Sequence, residues 1–354
     1  MLRSAFIDLL LKSFIPDIRN MIKKYDYFLN GHIVNSFRIQ SNIPEDIAID
    51  NFIPLLNGFI CNKYLSNLIY YVKNPLKNDI ETIELDGEIQ YIFVFSDIVI
   101  VSLIHQILIY PNFKRNRNSF LLPCDDYLSA CIKLSDNEYC FGFNNGQIQV
   151  WNLIDKILIY NLQFHTEEVR ALLLLPNGKL ISGFNDDNIV CWNLETQRID
   201  FTYNIRHTVF KLFLISGNRI VIIDNYVNSN ISIFNYETKS LLTKKLDNDK
   251  LLQLKILSND EIIYYENDII LFLSPDTLGI IRVIYDNSEI SSICLLLDER
   301  LIVKSDKLNV YNPKTGILEN TYPLIDTSNN NSEIILLSNG LIAILTDNII
   351  EIHN

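Results

Sequence analysis

The chain repeats itself every 40 residues or so, and that period constrains its fold more than any other feature. One signal is an apolar or aromatic strand ending followed by Asn or Pro. It appears at Val72-Lys73-Asn74, Tyr110-Pro111, Trp151-Asn152, Trp192-Asn193, Phe234-Asn235, Ser274-Pro275, Tyr311-Asn312 and His353-Asn354. A second, independent signal is a tight turn between two apolar runs. Its starts at Asn57, Ser96, Asp136, Asn177, Gly217, Asn259, Asp298 and Asn339 are separated by 39, 40, 41, 40, 42, 39 and 41 residues. Two signals that share one period identify a repeat architecture before any residue is given a role.

Each unit holds four short apolar runs divided by polar or Gly/Asn/Asp turns. In the fourth unit these are Lys156 to Leu162, Val169 to Leu175, Lys179 to Ser182 and Asn188 to Trp192. Runs of this length, rich in Ile, Val, Leu and aromatics, predict strands. Asn-Gly and Asp-Asn steps supply the positive φ of tight hairpins. Four antiparallel strands per repeat predict an all-β protein built as a propeller. Residues 31–354 hold eight repeat endings, so eight blades are expected, or seven if Ile43 to Asn74 is not a blade. The chain stops after the third strand of its last unit. The alternating segment His32 to Gln40 is expected to supply the missing outer strand, which would remove an exposed edge.

Composition narrows the chemistry. Hydrophobic residues make up 48% of the 354, enough for a large core and incompatible with intrinsic disorder. The 42 acidic against 30 basic residues give a net charge of −12, which argues against a general nucleic-acid binder. The longest apolar stretch, Tyr91 to Ile104, is broken by Ser96-Asp97 and predicts two strands and a turn rather than a membrane span. The six cysteines, at 61, 124, 131, 140, 191 and 294, form no CxxC pair and suit a reduced, intracellular setting. The apolar N-terminus, interrupted by Asp8 and Lys12, lacks a signal-peptide cleavage pattern. The five histidines show no metal-ligand spacing, Asp247-Asn248-Asp249 lacks the rest of a calcium loop, and no phosphate loop or nucleophile motif occurs. No cofactor, metal or catalytic residue is expected. The cluster Lys114-Arg115-Asn116-Arg117 and the loop Asp326 to Ser332 read as solvated loops.

The fourth unit, from Phe164-His165-Thr166 through Asn177-Gly178 and Ser182-Gly183 to Trp192-Asn193, resembles a WD repeat. The resemblance implies a structural hydrogen-bonded network of His165, Ser182, Asp186 and Trp192. The third unit keeps Trp151 but has Phe141 and Asn145 at the Ser and Asp positions. WD-repeat relatives bind peptides through loops at the ring mouth. By motif position that implies Asn144 and Asn185, with Glu167 and Glu168 close by, as partner-binding residues.

Residues 1–30 differ from the rest. Pro16 and Asp17 mark a helix start, and Ile15, Ile18, Met21, Ile22 and Tyr25 share one helical face. Ile15-Pro16-Asp17-Ile18 through Ile22 resembles the opening of an F-box. That implies docking on a ubiquitin-ligase adaptor through Ile15, Pro16, Ile18 and Ile22. A capping or self-associating amphipathic helix is the other reading of the same face. The whole plan is similar to short F-box-like WD-repeat proteins encoded by large DNA viruses of amoebae. The expectation is a non-enzymatic protein–protein interaction scaffold in the host cytoplasm, a substrate receptor linked to host ubiquitin ligase. It would bind a protein or peptide, and neither nucleic acid nor membrane. The alternative is a structural or assembly protein of a viral particle.

Overall fold

The structure, a computed structural model, describes residues 36–39, 51–55, 58–62, 67–74, 79–96, 98–113, 118–164, 166–224, 230–246, 254–296, 298–324, 332–336, 342–346 and 349–353. The segment 1–30 with Ile15, Pro16, Ile18 and Ile22, the network histidine His165, the cluster 114–117 and Asp247 to Asp249 lie outside the described residues.

The regular structure of the described residues is 32 strands in eight four-stranded antiparallel sheets. Strand β1 (Ser36–Ile39) comes first. Next are β2 (Asn51–Leu55), β3 (Gly58–Asn62), β4 (Leu68–Asn74) and β5 (Asp79–Glu84), then β6 (Tyr91–Phe95), β7 (Ile98–Ser102), β8 (Gln106–Tyr110) and β9 (Phe120–Pro123). The third sheet is β10 (Leu128–Lys133), β11 (Glu138–Phe143), β12 (Gln147–Asn152) and β13 (Ile157–Gln163). The fourth is β14 (Val169–Leu174), β15 (Leu180–Phe184), β16 (Asn188–Asn193) and β17 (Arg198–Asn204). The fifth is β18 (Lys211–Ile215), β19 (Arg219–Ile223), β20 (Asn230–Asn235) and β21 (Leu241–Lys245). The sixth is β22 (Lys255–Ile256), β23 (Ile262–Glu266), β24 (Ile269–Leu273) and β25 (Ile280–Tyr285). After it come β26 (Ser292–Leu295), β27 (Leu301–Lys304), β28 (Leu308–Tyr311) and β29 (Leu318–Tyr322), then β30 (Ser332–Leu336), β31 (Ile342–Thr346) and β32 (Ile349–His353). Two compact units divide the sheets. One holds the five sheets from β6 to β25, and the other holds β2–β5, β26–β29 and the sheet β1-β32-β31-β30.

Both repeat signals have a structural counterpart. The strand ending followed by Asn or Pro marks the end of third strands, as at Asn152, Asn193 and Asn235. The tight turn joins the first strand to the second, and Ser96, Gly178, Gly217, Asn218, Asp260 and Glu299 there have positive φ. The sequence unit and the sheet are offset by one strand. The run that opens the fourth unit is β13, which pairs with β12 as the outer strand of the preceding sheet. The same offset operates at the chain ends. β1 takes the outer place beside β32, with Ser36 opposite His353 and Ile39 opposite Ile350.

Burial explains the strand composition. Middle strands are covered on both faces, so they are rich in apolar residues: β15 is buried throughout, and the four central residues of β16 are buried. Outer strands are covered on one side only, and β17 is mostly exposed. Within the five-sheet unit, consecutive sheets pack face to face. Cys140, Ile148 and Val150 from the third sheet meet Leu172, Leu180, Val190 and Trp192 from the fourth. Ile181, Ile189 and Cys191 of the fourth meet Ile220, Ile222 and Phe234 of the fifth. Two glycines set this approach. A Cβ on Gly142 would lie 2.5 Å from Val169 Cγ1, and one on Gly183 would lie 2.2 Å from Val209 Cγ1. The pairs recur at repeat spacing, so a valine entering one sheet fills the space a glycine leaves in the sheet before it.

Buried serines tie neighbouring sheets together. Ser102 Oγ accepts from Leu128 N at 2.8 Å, Ser129 Oγ donates to Val169 O at 2.8 Å, and Ser292 Oγ accepts from Ile334 N at 2.9 Å. Each hydroxyl occupies a main-chain group at the edge of a first strand, where no ladder partner is available.

Candidate partner-binding site

First strands β6, β10, β14 and β18 line a cavity of about 400 Å³ within the five-sheet unit. Tyr91 and Phe93 contribute from β6, Ser129 to Ile132 from β10, Glu168 and Arg170 to Leu172 at β14, and Phe210 to Phe213 at β18. Residues on the four strands stand about one repeat apart in sequence, so the cavity is a product of the period rather than of any local motif. Its chemistry is mixed. Tyr91 stacks on Phe93 and on Tyr127, both with centroids 6.1 Å apart. Tyr127 is pinned in turn: its hydroxyl donates to Asn144 Oδ1 at 2.9 Å, and Asn144 Nδ2 donates to Asp126 Oδ2 at 3.0 Å.

Glu168 Oε2 pairs with Arg170 Nη2 at 2.8 Å inside this lining, and the glutamate is buried. Burial pushes its carboxyl above the ordinary value of 4.5, and Asp126 adds to the rise while Arg170 opposes it. The exposed Lys211 adds a cation at the β18 wall. Aromatic faces beside a buried acid and two cations can hold a side chain that is apolar along its length and polar at its tip.

The sequence-derived partner residues fall around this site unequally. Asn144 orders Tyr127 and Asp126, as above. Asn185 is half-buried, and its main-chain N–H donates to Glu168 O at 3.2 Å, tying the turn after β15 to the entry of β14. Glu168 lines the cavity, whereas Glu167 beside it is exposed and outside the lining. Sequence reasoning missed Tyr91, Tyr127 and Arg170, which lie inside strand runs or at their starts and look like ordinary core-pattern residues.

Of the four network residues, Trp192 and Ser182 meet directly. Trp192 Nε1 donates to Ser182 Oγ at 2.8 Å, and that hydroxyl donates to Val190 O at 3.4 Å. Asp186 sits half-buried in the turn between β15 and β16, where its carboxylate accepts from Asn188 N at 3.3 Å. Trp151, without a serine at the matching place, donates instead to Gln149 Oε1 at 2.8 Å.

A second buried network went unread. In the fifth sheet, His207 Nε2 lies 2.6 Å from Ser232 Oγ, which lies 2.7 Å from Thr243 Oγ1. Thr208 Oγ1 donates to Asp224 Oδ1 at 2.5 Å, and Asn230 Nδ2 donates to Asp224 Oδ2 at 3.2 Å. The available signal was the dipeptide His165-Thr166, which recurs as His207-Thr208 at repeat spacing. Ser232 is fully buried and His207 nearly so, which makes this a packed polar network rather than an open hydrolytic pair. The thiols of Cys124 and Cys191 are likewise poor nucleophiles: burial pushes both up to about 11, leaving them protonated at neutral pH. Among the described residues, no three His, Cys, Asp or Glu side chains converge as a metal site would need.

No protein-family model matches the chain. Among curated proteins, human WD repeat and SOCS box-containing protein 1 is 33% identical over 78 residues, 19% of this chain and 18% of that protein. The Takifugu rubripes protein of the same name is 38% identical over 56 residues, 15% of this chain and 13% of its own. The Drosophila melanogaster Retinoblastoma-binding protein 5 homolog is 26% identical over 92 residues, 25% of this chain and 19% of that protein. The chain thus matches less than a fifth of the length of these relatives. Solved structures align far more widely at lower identity. The WD40 beta propeller domain of Doa1 covers 90% of this chain and 97% of its own at 13% identity and a TM-score of 0.50. The computationally designed Ika8 protein covers 87% and 96% at 15% identity and 0.59. A chain of the mitotic checkpoint complex covers 91% and 91% at 14% identity and 0.53. Repeated four-stranded antiparallel sheets together with these alignments make the chain an all-β protein of WD40 β-propeller-like fold.

Proposed function

We propose that the chain is a non-enzymatic protein–protein interaction scaffold. Its eight sheets would act as the blades of one propeller, and a peptide segment of a partner protein would seat in the cavity beside β6, β10, β14 and β18. The observation that carries this reading is the cavity itself, whose lining combines the stacked rings of Tyr91 and Phe93 with the Glu168–Arg170 pair. Apolar anchors bordered by a few fixed charges are what a peptide-binding surface needs.

The F-box-like segment would couple this scaffold to a ubiquitin-ligase adaptor through Ile15, Pro16, Ile18 and Ile22, in the host cytoplasm. The relatives named for WD repeats joined to a SOCS box support a two-part plan of this kind, with repeats beside a second module. The test uses the full-length chain and purified adaptor. Binding should be saturable and lost when those four residues are changed to alanine. Equal adaptor binding, or none, by both proteins would end the ligase reading. Crosslinks from expressed full-length protein should place the partner peptide on Tyr91, Phe93 or Lys211, and crosslinks confined to other surfaces would end the cavity reading.

A further inference from the structure

The last strand of each sheet exposes one long edge, and proteins block such edges with charge or proline. Seven of the eight described outer strands do so. β1 has Arg38, β5 has Asp79, Glu81 and Glu84, and β9 has Pro123. β17 has Arg198 and Asp200, β21 has Lys244 and Lys245, β25 has Arg282, and β29 has Glu319. β13, Ile-Leu-Ile-Tyr-Asn-Leu-Gln, has neither charge nor proline over seven residues. Its Ile157, Leu158 and Ile159 are 58%, 40% and 40% exposed, and Ile154 in the turn before it is 68% exposed. Among the described residues, its only strand partner is β12.

We infer that β13 is a self-association edge, at which a second copy of this chain adds its own β13 antiparallel and joins two four-stranded sheets into one. Charge selects this occupant. Every other described outer strand carries a charged side chain or a proline within its length, which pairing along β13 would have to accommodate. β13 opposes itself with apolar, tyrosine and amide side chains alone, so self-pairing juxtaposes no like charges. A two-fold contact of this kind is isologous and closes at the dimer. The net charge of −12 repels two approaching copies, and salt screens that repulsion while leaving main-chain and apolar contacts in place. The dimer therefore tightens with salt, the opposite of an ion-paired interface.

Sedimentation equilibrium of the full-length chain over a micromolar range tests this, at low and at high salt. The expected result is a reversible monomer–dimer equilibrium that tightens with salt. Ile159→Lys should weaken it by about tenfold or more. Ile281→Lys, on the exposed face of the already charged β25, should leave it unchanged. Hydrogen exchange on the unmodified protein reads the interface without any substitution, and the β13 amides should gain protection as the dimer forms. A monomer at every concentration, a dimer that loosens with salt, equal weakening by both variants, or β13 amides indifferent to concentration would each overturn the inference.

Discussion

The fourth and fifth sheets fill the same structural slot with opposite chemistry. In the fourth, Ser182 on β15 faces Val190 on β16, and Trp192 two residues on donates to the serine. In the fifth, Ile222 on β19 faces Ser232 on β20, and Phe234 stands where the tryptophan was. The hydroxyl has crossed from one strand to its neighbour. An indole N–H buried in a core requires an acceptor, and a phenyl ring does not. Once the ring is phenylalanine, the hydroxyl is free to serve another group, and Ser232 serves His207. The third sheet is a further solution: Phe141 faces Gln149, and the glutamine satisfies Trp151. What these three sheets preserve is a partner for the polar side chain that occupies this slot, and the residue that provides it varies.

Predictions can break this comparison, beginning with the largest effect. Asp224→Ala in the fifth sheet strands Thr208 and Asn230, and should cost about 3 kcal/mol in chemical denaturation, since hydrogen bonds to charged groups are the strong ones. A loss near zero would show that the fifth sheet does not lean on its network. Gly183→Ala drives a Cβ into Val209 at the junction of the same two sheets and should cost about 2 kcal/mol, partly restored by Val209→Ala. Independent, additive effects of the two changes would refute the packing pair. Ser182→Ala removes the acceptor for Trp192 and should cost about 1.5 kcal/mol, but much less in a Trp192→Phe background. Asp186→Ala removes the carboxylate that accepts from Asn188 N in the turn between β15 and β16, and should cost about 1 kcal/mol in a thermal melt.

The smallest effect depends on pH. Burial raises the folded-state pKa of Glu168, so the ionised form is the one that folding disfavours. The resulting cost is absent below the ordinary value of 4.5, grows as pH rises through the window above it, and is complete beyond the folded value. Replacement by glutamine removes that dependence. The stability of Glu168→Gln relative to the parent should therefore improve between pH 4 and pH 7, and a difference that stays flat or runs the other way would contradict the buried-acid assignment.

Much of the fold was legible because its signals are local. Turn residues at a steady spacing marked the hairpins, and Ser96, Gly178 and Asp260 adopt the positive φ that such turns demand. Runs rich in apolar residues marked the middle strands. The offset of sheet and repeat was harder to read, since β13 looks like the start of one unit and belongs to the sheet of another. The site was less legible still. Glu168 and Asn144 came from motif position, while Tyr91, Tyr127 and Arg170 carry no pattern that separates them from strand filler.

By itself the sequence determined where strands begin and end, because alternation and turn chemistry act over a few residues. Only the tertiary structure decided which polar atoms meet. His207 and Ser232 stand 25 positions apart, Ser129 and Val169 stand 40 apart, and the cavity draws on four first strands from successive sheets. Such partners are chosen by how one sheet lies on the next. A buried donor is satisfied by whichever acceptor packing brings within about 3 Å, and no local window of residues encodes that choice.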